Sequence, residues 1–287
     1  MKIGLNVFPV KVEELGPFAQ LAERLGYSSL WYGEHVAVPW KFDDSRYAGN
    51  KTPFAADTKL LDPWAVLTYL GTLTKTIRLG TGICILPLRD PILTARSIVA
   101  ADVFSNGRID IGAGTGWLEF EFKVMKRDFK ARGAILDEFL EVLDRLWKER
   151  EPEFHGKHFD FPPIGFEPKP AQRPRIPVHV GGKGVSLKRA ARYDGWYGGL
   201  ATAEEAASLK AEIMQLRRAA GTIDQPFFYT ALYVWSAPGR DIIEAYAKAG
   251  VDQMVVTPWD WSKSSDDAME AIERYAESID LKNLAPG

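Results

Sequence analysis

Residues 77–91 read IRLGTGICILPLRDP, and the rest of the chain can be laid out on either side of them. The stretch opens as an apolar strand and meets Gly80, Thr81 and Gly82 where a strand should still be running. It ends on Pro87 and a helix start at Asp90-Pro91. Glycine inside a strand pattern marks a bulge or a close backbone approach. Two readings follow: a packing kink, or a backbone opened so that a flat ring can lie against it.

Strands and helices alternate outward in both directions with no linker, low-complexity stretch or short-period repeat. Upstream, 2–8 reads as a strand and 12–25 as a helix, with Leu15, Phe18, Ala19, Ala22 and Leu25 on one face and Gly26 just past its end. Residues 29–32 form the next strand, and the irregular stretch 36–60 is long enough for a functional loop. Asp62-Pro63 starts a helix by the same device as Asp90-Pro91, an aspartate N-cap followed by proline at the first helical position. Downstream, strands are expected at 109–113, 178–180, 196–199, 227–235 and 253–257. Helices are expected at 118–125, 133–150, 185–192, 203–220, 241–249 and 268–278. Residues 154–159 read as a small hairpin with a two-residue turn at Gly156-Lys157. This alternation predicts one (β/α)8 TIM-barrel domain over residues 1–287. A doubly wound sheet would need a switch point, and none is visible.

Composition narrows the function. Lys plus Arg total 36 against 38 Asp plus Glu, a net charge of -2 with no basic cluster, which argues against nucleic acid or an anionic membrane surface. No window approaches the roughly 20 apolar residues of a membrane helix. Cys84 is the only cysteine, so there is no internal disulfide or cysteine zinc site, and a reducing cytoplasm fits. The first ten residues, with Asn6 and Pro9 inside their apolar run, read as a first strand and not as a signal peptide. Of nine tryptophans, Trp31, Trp40, Trp117, Trp259 and Trp261 fall near strand ends or loops, where they fill core or line a pocket.

A barrel carries its chemistry just after its strands. Glu34-His35, Thr81 to Leu86, Gly112 to Trp117, Gly181 to Gly184 and Pro258 to Trp261 are therefore the candidates. The turn Gly181-Gly182-Lys183-Gly184 exposes backbone N–H groups at a helix start beside a lysine, which suits an anion; an ordinary tight turn is the alternative. Gly112, Gly114 and Gly116 imitate a dinucleotide fingerprint, but no well-formed apolar helix follows directly. They read better as backbone stripped of side chains for a flat ring, with Trp117 as a wall. His35 is a proton donor or acceptor near neutral pH, or a hydrogen-bonded structural residue. His155, His158 and His179 lie in the hairpin or inside a strand, which argues against a metal. A glycosidase needs two carboxylates; Glu34 qualifies, whereas Glu119, Glu121 and Asp260 are less well placed. A non-enzymatic barrel is a third possibility.

LGYSSLWYGEH (25–35), the opening stretch, GRIDIGAGTGW (107–117), FEPKPAQRPRIPVHVGG (166–182) and RAARYDGW (189–196) together resemble the luciferase-like monooxygenase superfamily, within it the coenzyme F420-dependent oxidoreductases. The resemblance implies a barrel holding F420, or alternatively FMN, at its strand C-termini. It implies a bulge with a cis peptide at Gly82-Ile83, next to Thr81, behind the ring. Gly114, Gly116 and Trp117 would border the ring, and Gly181, Gly182, Lys183, Gly184 and Val185 would hold the cofactor phosphate. His35 inherits a proton-handling role, with Glu34 and Trp40 as further catalytic candidates. Trp40 stands one position beyond the tryptophan of some F420 enzymes, and Trp117 replaces their glutamate. Hydride transfer to or from a small organic substrate is expected with F420, and oxygenation with reduced FMN and O2. Relatives of this kind are often homodimers.

Overall fold

The computed structural model describes residues 1–8, 10–41, 56–233, 237–259 and 267–284. Its main sheet holds β1 (Lys2–Asn6), β2 (Ser29–Tyr32), β3 (Arg78–Thr81), β4 (Cys84–Ile85) and β5 (Ile109–Gly114). A hairpin, β6 (Phe154–His155) and β7 (Asp160–Phe161), stands apart, and the sheet resumes with β8 (Val178–Gly181), β9 (Gly195–Gly199), β10 (Phe228–Tyr233) and β11 (Gln253–Val256). Every pairing in the main sheet is parallel, β1 meets both β2 and β11, and β3 with β4 shares one place between β2 and β5. The result is a closed eight-position (β/α)8 barrel. β2, β5, β8 and β11 are buried at every residue, as expected of strands covered on one face by helices and on the other by the barrel interior.

The helices are α1 (Leu15–Leu25), α2 (Pro63–Leu73), α3 (Pro91–Phe104), α4 (Glu119–Val124), α5 (Arg132–Lys148), α6 (Val185–Ala190), α7 (Ala203–Ala220), α8 (Arg240–Lys248) and α9 (Ala268–Ser278). Among the described residues none is long and apolar enough to cross a membrane. The caps act as the sequence suggests. Asp62 accepts from the N–H groups of Trp64 and Ala65, Asp90 accepts from that of Leu93, and Gly26 closes α1 at a left-handed φ of 96°. Arg108 ties the α2 end to the barrel by donating to the carbonyls of Gly71, Thr74 and Ile77.

Three boundaries differ from expectation for visible reasons. The first strand stops at Asn6, whose side chain accepts from the Phe8 N–H and turns the chain. The first helix begins as a 3-10 turn at Val12–Glu14. The hairpin has a four-residue connection, 156–159, instead of a Gly156-Lys157 turn, because Phe154 faces Phe161 and His155 faces Asp160. Glu138 of α5 accepts from the N–H groups of Lys157, His158 and Phe159 and so holds the wider loop. Trp235, expected in the seventh strand, lies outside the described residues, as do Pro9, Asp260 and Trp261.

At the N-terminal end of the barrel Arg78 grips Asp110 with Nε at 2.6 Å and Nη2 at 2.7 Å, and His179 Nε2 lies 3.4 Å from the same carboxylate. Burial opposes the charge on Asp110, but His179 and Arg78 outweigh it and hold the pKa at about 2. A depressed carboxyl pKa contributes stability above the unfolded value, about 3.9, that fades as pH falls through the folded one. Asp110→Asn should therefore cost about 2 kcal/mol at pH 7, less than a fully buried broken pair because Arg78 is partly exposed. Thermal melts from pH 7 to 2 should show the gap between variant and wild type closing with acid.

Candidate active site

Strand position three is irregular. Gly80 faces Asp110 and Cys84 faces Ala113, so Thr81, Gly82 and Ile83 lie opposite only Ile111 and Gly112. One extra residue on one strand is a β-bulge. The Gly82–Ile83 peptide bond is cis, at the position the resemblance implies. Thr81 replaces the missing ladder rungs: its Oγ1 donates to the Gly112 carbonyl and accepts from the Gly112 N–H, both at 2.9 Å.

The bulge pushes the Ile83 side chain toward β5 and β8, and the glycines there make room for it. A Cβ on Gly114 would overlap Ile83 Cδ1, one on Gly181 would lie 3.2 Å from Ile83 Cγ2, and one on Gly112 would overlap the Thr81 carbonyl. The bare backbone at 112–114 thus receives Ile83 itself, where the sequence suggested room for a ring. Gly116, at φ 77°, faces Ile85 and Phe122. Ile83 is half-buried and rests on Trp31, Tyr197 and Val255, with the Trp31 and Tyr197 rings 4.7 Å apart. Burial also pushes the Tyr197 phenol above its ordinary pKa. A firm apolar floor results at the C-terminal side of the barrel.

His35 sits just past β2. Its Nδ1 lies 3.2 Å from Glu121 Oε2, and its ring meets Trp117 edge-on at 5.9 Å. Glu121, on α4, is completely buried, and its other oxygen accepts from the N–H groups of Val36 at 2.6 Å and Ala37 at 3.3 Å. The contact holds the Nδ1 side of the imidazole against the buried carboxyl and so sets the orientation of the ring. From the sequence alone Glu121 stands out only as a glycosidase carboxylate. The available signal was its place three residues after Leu118 and one before Phe122, both buried, which turns it inward.

Two expected catalytic side chains are not brought to this group. Glu34 is committed elsewhere: one oxygen accepts from the Ile85 N–H at 2.5 Å and the other from Arg89 Nε at 2.8 Å and Nη2. It anchors the end of the bulge. Trp40 is 84% exposed. Among the described residues Glu34 and Glu121 are both engaged and do not form the carboxylate pair of a glycosidase. Trp259 is buried against Phe18, so it belongs to the core.

The turn after β8 is built by glycines at left-handed φ, 101° for Gly182 and 60° for Gly184. Trp196 Nε1 donates to the Gly182 carbonyl at 2.7 Å and fixes one side. On the other side a Cβ at Gly184 would meet nothing within 4 Å, and Val185 is 74% exposed. Lys183 turns to Glu205 of α7. The turn is an open cradle whose lysine is already paired with a carboxylate.

The model of the luciferase-like monooxygenases matches residues 6–282. The chain belongs to that family. A relative in Mycobacterium tuberculosis, the uncharacterized protein Rv0953c, is 32% identical over 269 residues, 91% of this chain and 92% of its own. The fold of this luciferase-like chain is shared with the coenzyme F420-dependent tetrahydromethanopterin reductase of Methanopyrus kandleri, at TM-score 0.77 and 18% identity, covering 98% and 99% of the two chains. It is also shared with the oxygenating constituent of 3,6-diketocamphane monooxygenase from Pseudomonas putida, in complex with FMN, at TM-score 0.74 and 14% identity, covering 100% and 99%.

The packing of the bulge can be tested by a double-mutant cycle. Gly114→Ala should cost about 1–3 kcal/mol through overpacking. In an Ile83→Ala background, where the opposing atoms are gone, the same change should cost at least about 1 kcal/mol less. Equal costs in both backgrounds, measured by denaturant unfolding, would show that Ile83 does not occupy that space.

Proposed function

We propose that this protein is an F420-dependent oxidoreductase that moves hydride to or from a small organic substrate at the C-terminal end of its barrel. The observation that carries this reading is the pairing of His35 with the buried Glu121 beside the Gly82–Ile83 bulge. A cofactor there would rest on Ile83, with Thr81 and Gly82 behind it and Gly114 and Gly116 supporting Ile83 and its neighbours. Trp117 would stand on the His35 side. Its anionic end would enter the cradle of Gly181, Gly182, Lys183, Gly184 and Val185, which fits because the space above Gly184 is open. Reduced F420 supplies hydride when bound, and its ring lacks the nitrogen that sustains oxygen activation.

The chain itself supplies orientation, a dry floor and a proton. Glu121 holds the Nδ1 side of the imidazole, and the ring so oriented gives or takes the proton at the substrate. Trp31, Tyr197 and Val255 keep water from beneath the ring. Glu34 and Arg89 fix the chain on either side of the bulge and take no part in proton transfer. The fold of the FMN-bound P. putida oxygenase supports the alternative, a monooxygenase using reduced FMN and O2. A homodimer and a cytoplasmic setting belong to the same reading, supported by Leu93 and Phe104, which stand 69% and 62% exposed on α3, and by the single, buried Cys84.

Absorbance titrations should show F420 bound at one equivalent and more tightly than FMN; stoichiometric binding of FMN alone would sink the F420 reading. His35→Ala should lower turnover about 10²- to 10⁴-fold while cofactor affinity stays near wild type. Glu121→Gln should lower it by about tenfold, again without loss of cofactor. Unchanged turnover in the His35 variant would remove it from the mechanism.

A further inference from the structure

The opposite end of the barrel carries a cavity of about 630 Å³. It is framed by the N-terminal residues of the strands: Lys2, Arg78, Asp110, His179, Phe228 and Gln253. Its inner limit is Trp31, whose ring packs at 4.7 Å and a 31° tilt against Tyr197 under the Ile83 floor. One aromatic layer therefore separates it from the candidate active site.

The charges around this cavity do not balance. Four cationic side chains, Lys2, Arg78, Arg173 and Arg175, line it with two acids, Asp110 and Asp194. Arg78 takes Asp110, and Arg175 reaches Asp194 at 3.1 Å. Among the described residues Lys2 and Arg173 meet no carboxylate; Lys2 lies 5.3 Å from the Phe228 ring centre. Two positive charges are left over at the rim.

Deeper in, a hydrogen-bond donor is also unused. Gln253 is 2% exposed, and its Oε1 accepts from the hydroxyl of Ser29 at 2.9 Å, whereas the Ser28 hydroxyl gives its one hydrogen to the Ile3 carbonyl at 2.8 Å. Ser29 accepts from Trp31 Nε1 and gives its own hydrogen to Gln253, which sets Oε1 toward Ser29 and Nε2 away from it. Nε2 has no hydrogen-bond partner among the described residues. A buried amide donor without an acceptor is costly, and a ligand oxygen would relieve it. Phe227, Phe228 and Trp31, with Pro174, Pro177 and Pro226, supply flat apolar walls.

We infer that the N-terminal mouth of the barrel is a second binding site, for a small planar carboxylate. The carboxylate takes the leftover charge of Lys2 and Arg173 and the free donor of Gln253, and its flat body lies among the aromatic and proline walls. The site has only the Trp31 layer in common with the proposed cofactor floor, and its charged residues take no part there, so it stands or falls separately from the F420 reading.

Calorimetric titration of the full chain with 1-naphthoate, in excess FMN, tests it. One equivalent should bind whether or not FMN is present. The double variant Lys2→Ala, Arg173→Ala should bind on the order of tenfold more weakly, as should wild type with the neutral 1-naphthamide. Both substituted residues are exposed, so the fold should hold. Absence of binding, displacement by FMN, or equal affinity in the double variant would each overturn the assignment.

Discussion

One extra residue in the third strand position is the constraint on which the rest of the site depends. Once Thr81, Gly82 and Ile83 face only two residues of β5, the ladder loses its rungs there and Ile83 must go somewhere. Thr81 repairs the hydrogen bonding with Gly112, and the missing side chains of Gly114 and Gly181 provide the space. The glycines around the barrel mouth are thus consequences of the bulge as much as of any ligand. Glu34 and Arg89 then secure the chain where the bulge ends, at Ile85. A side chain that sequence position marks as a catalytic candidate holds the backbone here.

The same economy shapes the histidine. A buried carboxylate is tolerable only with its oxygens paired, and Glu121 satisfies both with His35, Val36 and Ala37. That arrangement fixes where the chain leaves β2 and how the imidazole is turned. Below, the Trp31–Tyr197 layer divides the barrel interior into two ends with different chemistry. The C-terminal end is apolar and backed by a bulge, whereas the N-terminal end is ionic, built on Arg78, Asp110 and His179.

Much of this was legible in the residues. Helix starts at Asp62-Pro63 and Asp90-Pro91 and the turn at Gly26 follow from local chemistry, and the parallel strands from their apolar runs. The bulge was signalled by glycines inside the strand from 77. What escaped depends on partners distant in the chain. That Ile83 fills the space at Gly114 requires the register of β4 against β5. That Glu34 is not a free carboxylate requires Arg89 and the Ile85 N–H, and that the hairpin loop is wide requires Glu138. Trp40 could not be placed from its spacing to His35, because a five-residue offset in a loop carries no direction, and its indole stands in solvent.

The central claim is that a reduced cofactor ring rests on Ile83 within reach of His35. A crystal structure of the protein soaked with reduced F420 tests it most directly. The ring should lie on the C-terminal side of Ile83, with His35 Nε2 turned toward it and the phosphate end in the 181–184 turn. A ring bound away from Ile83, or with its phosphate outside that turn, would contradict it.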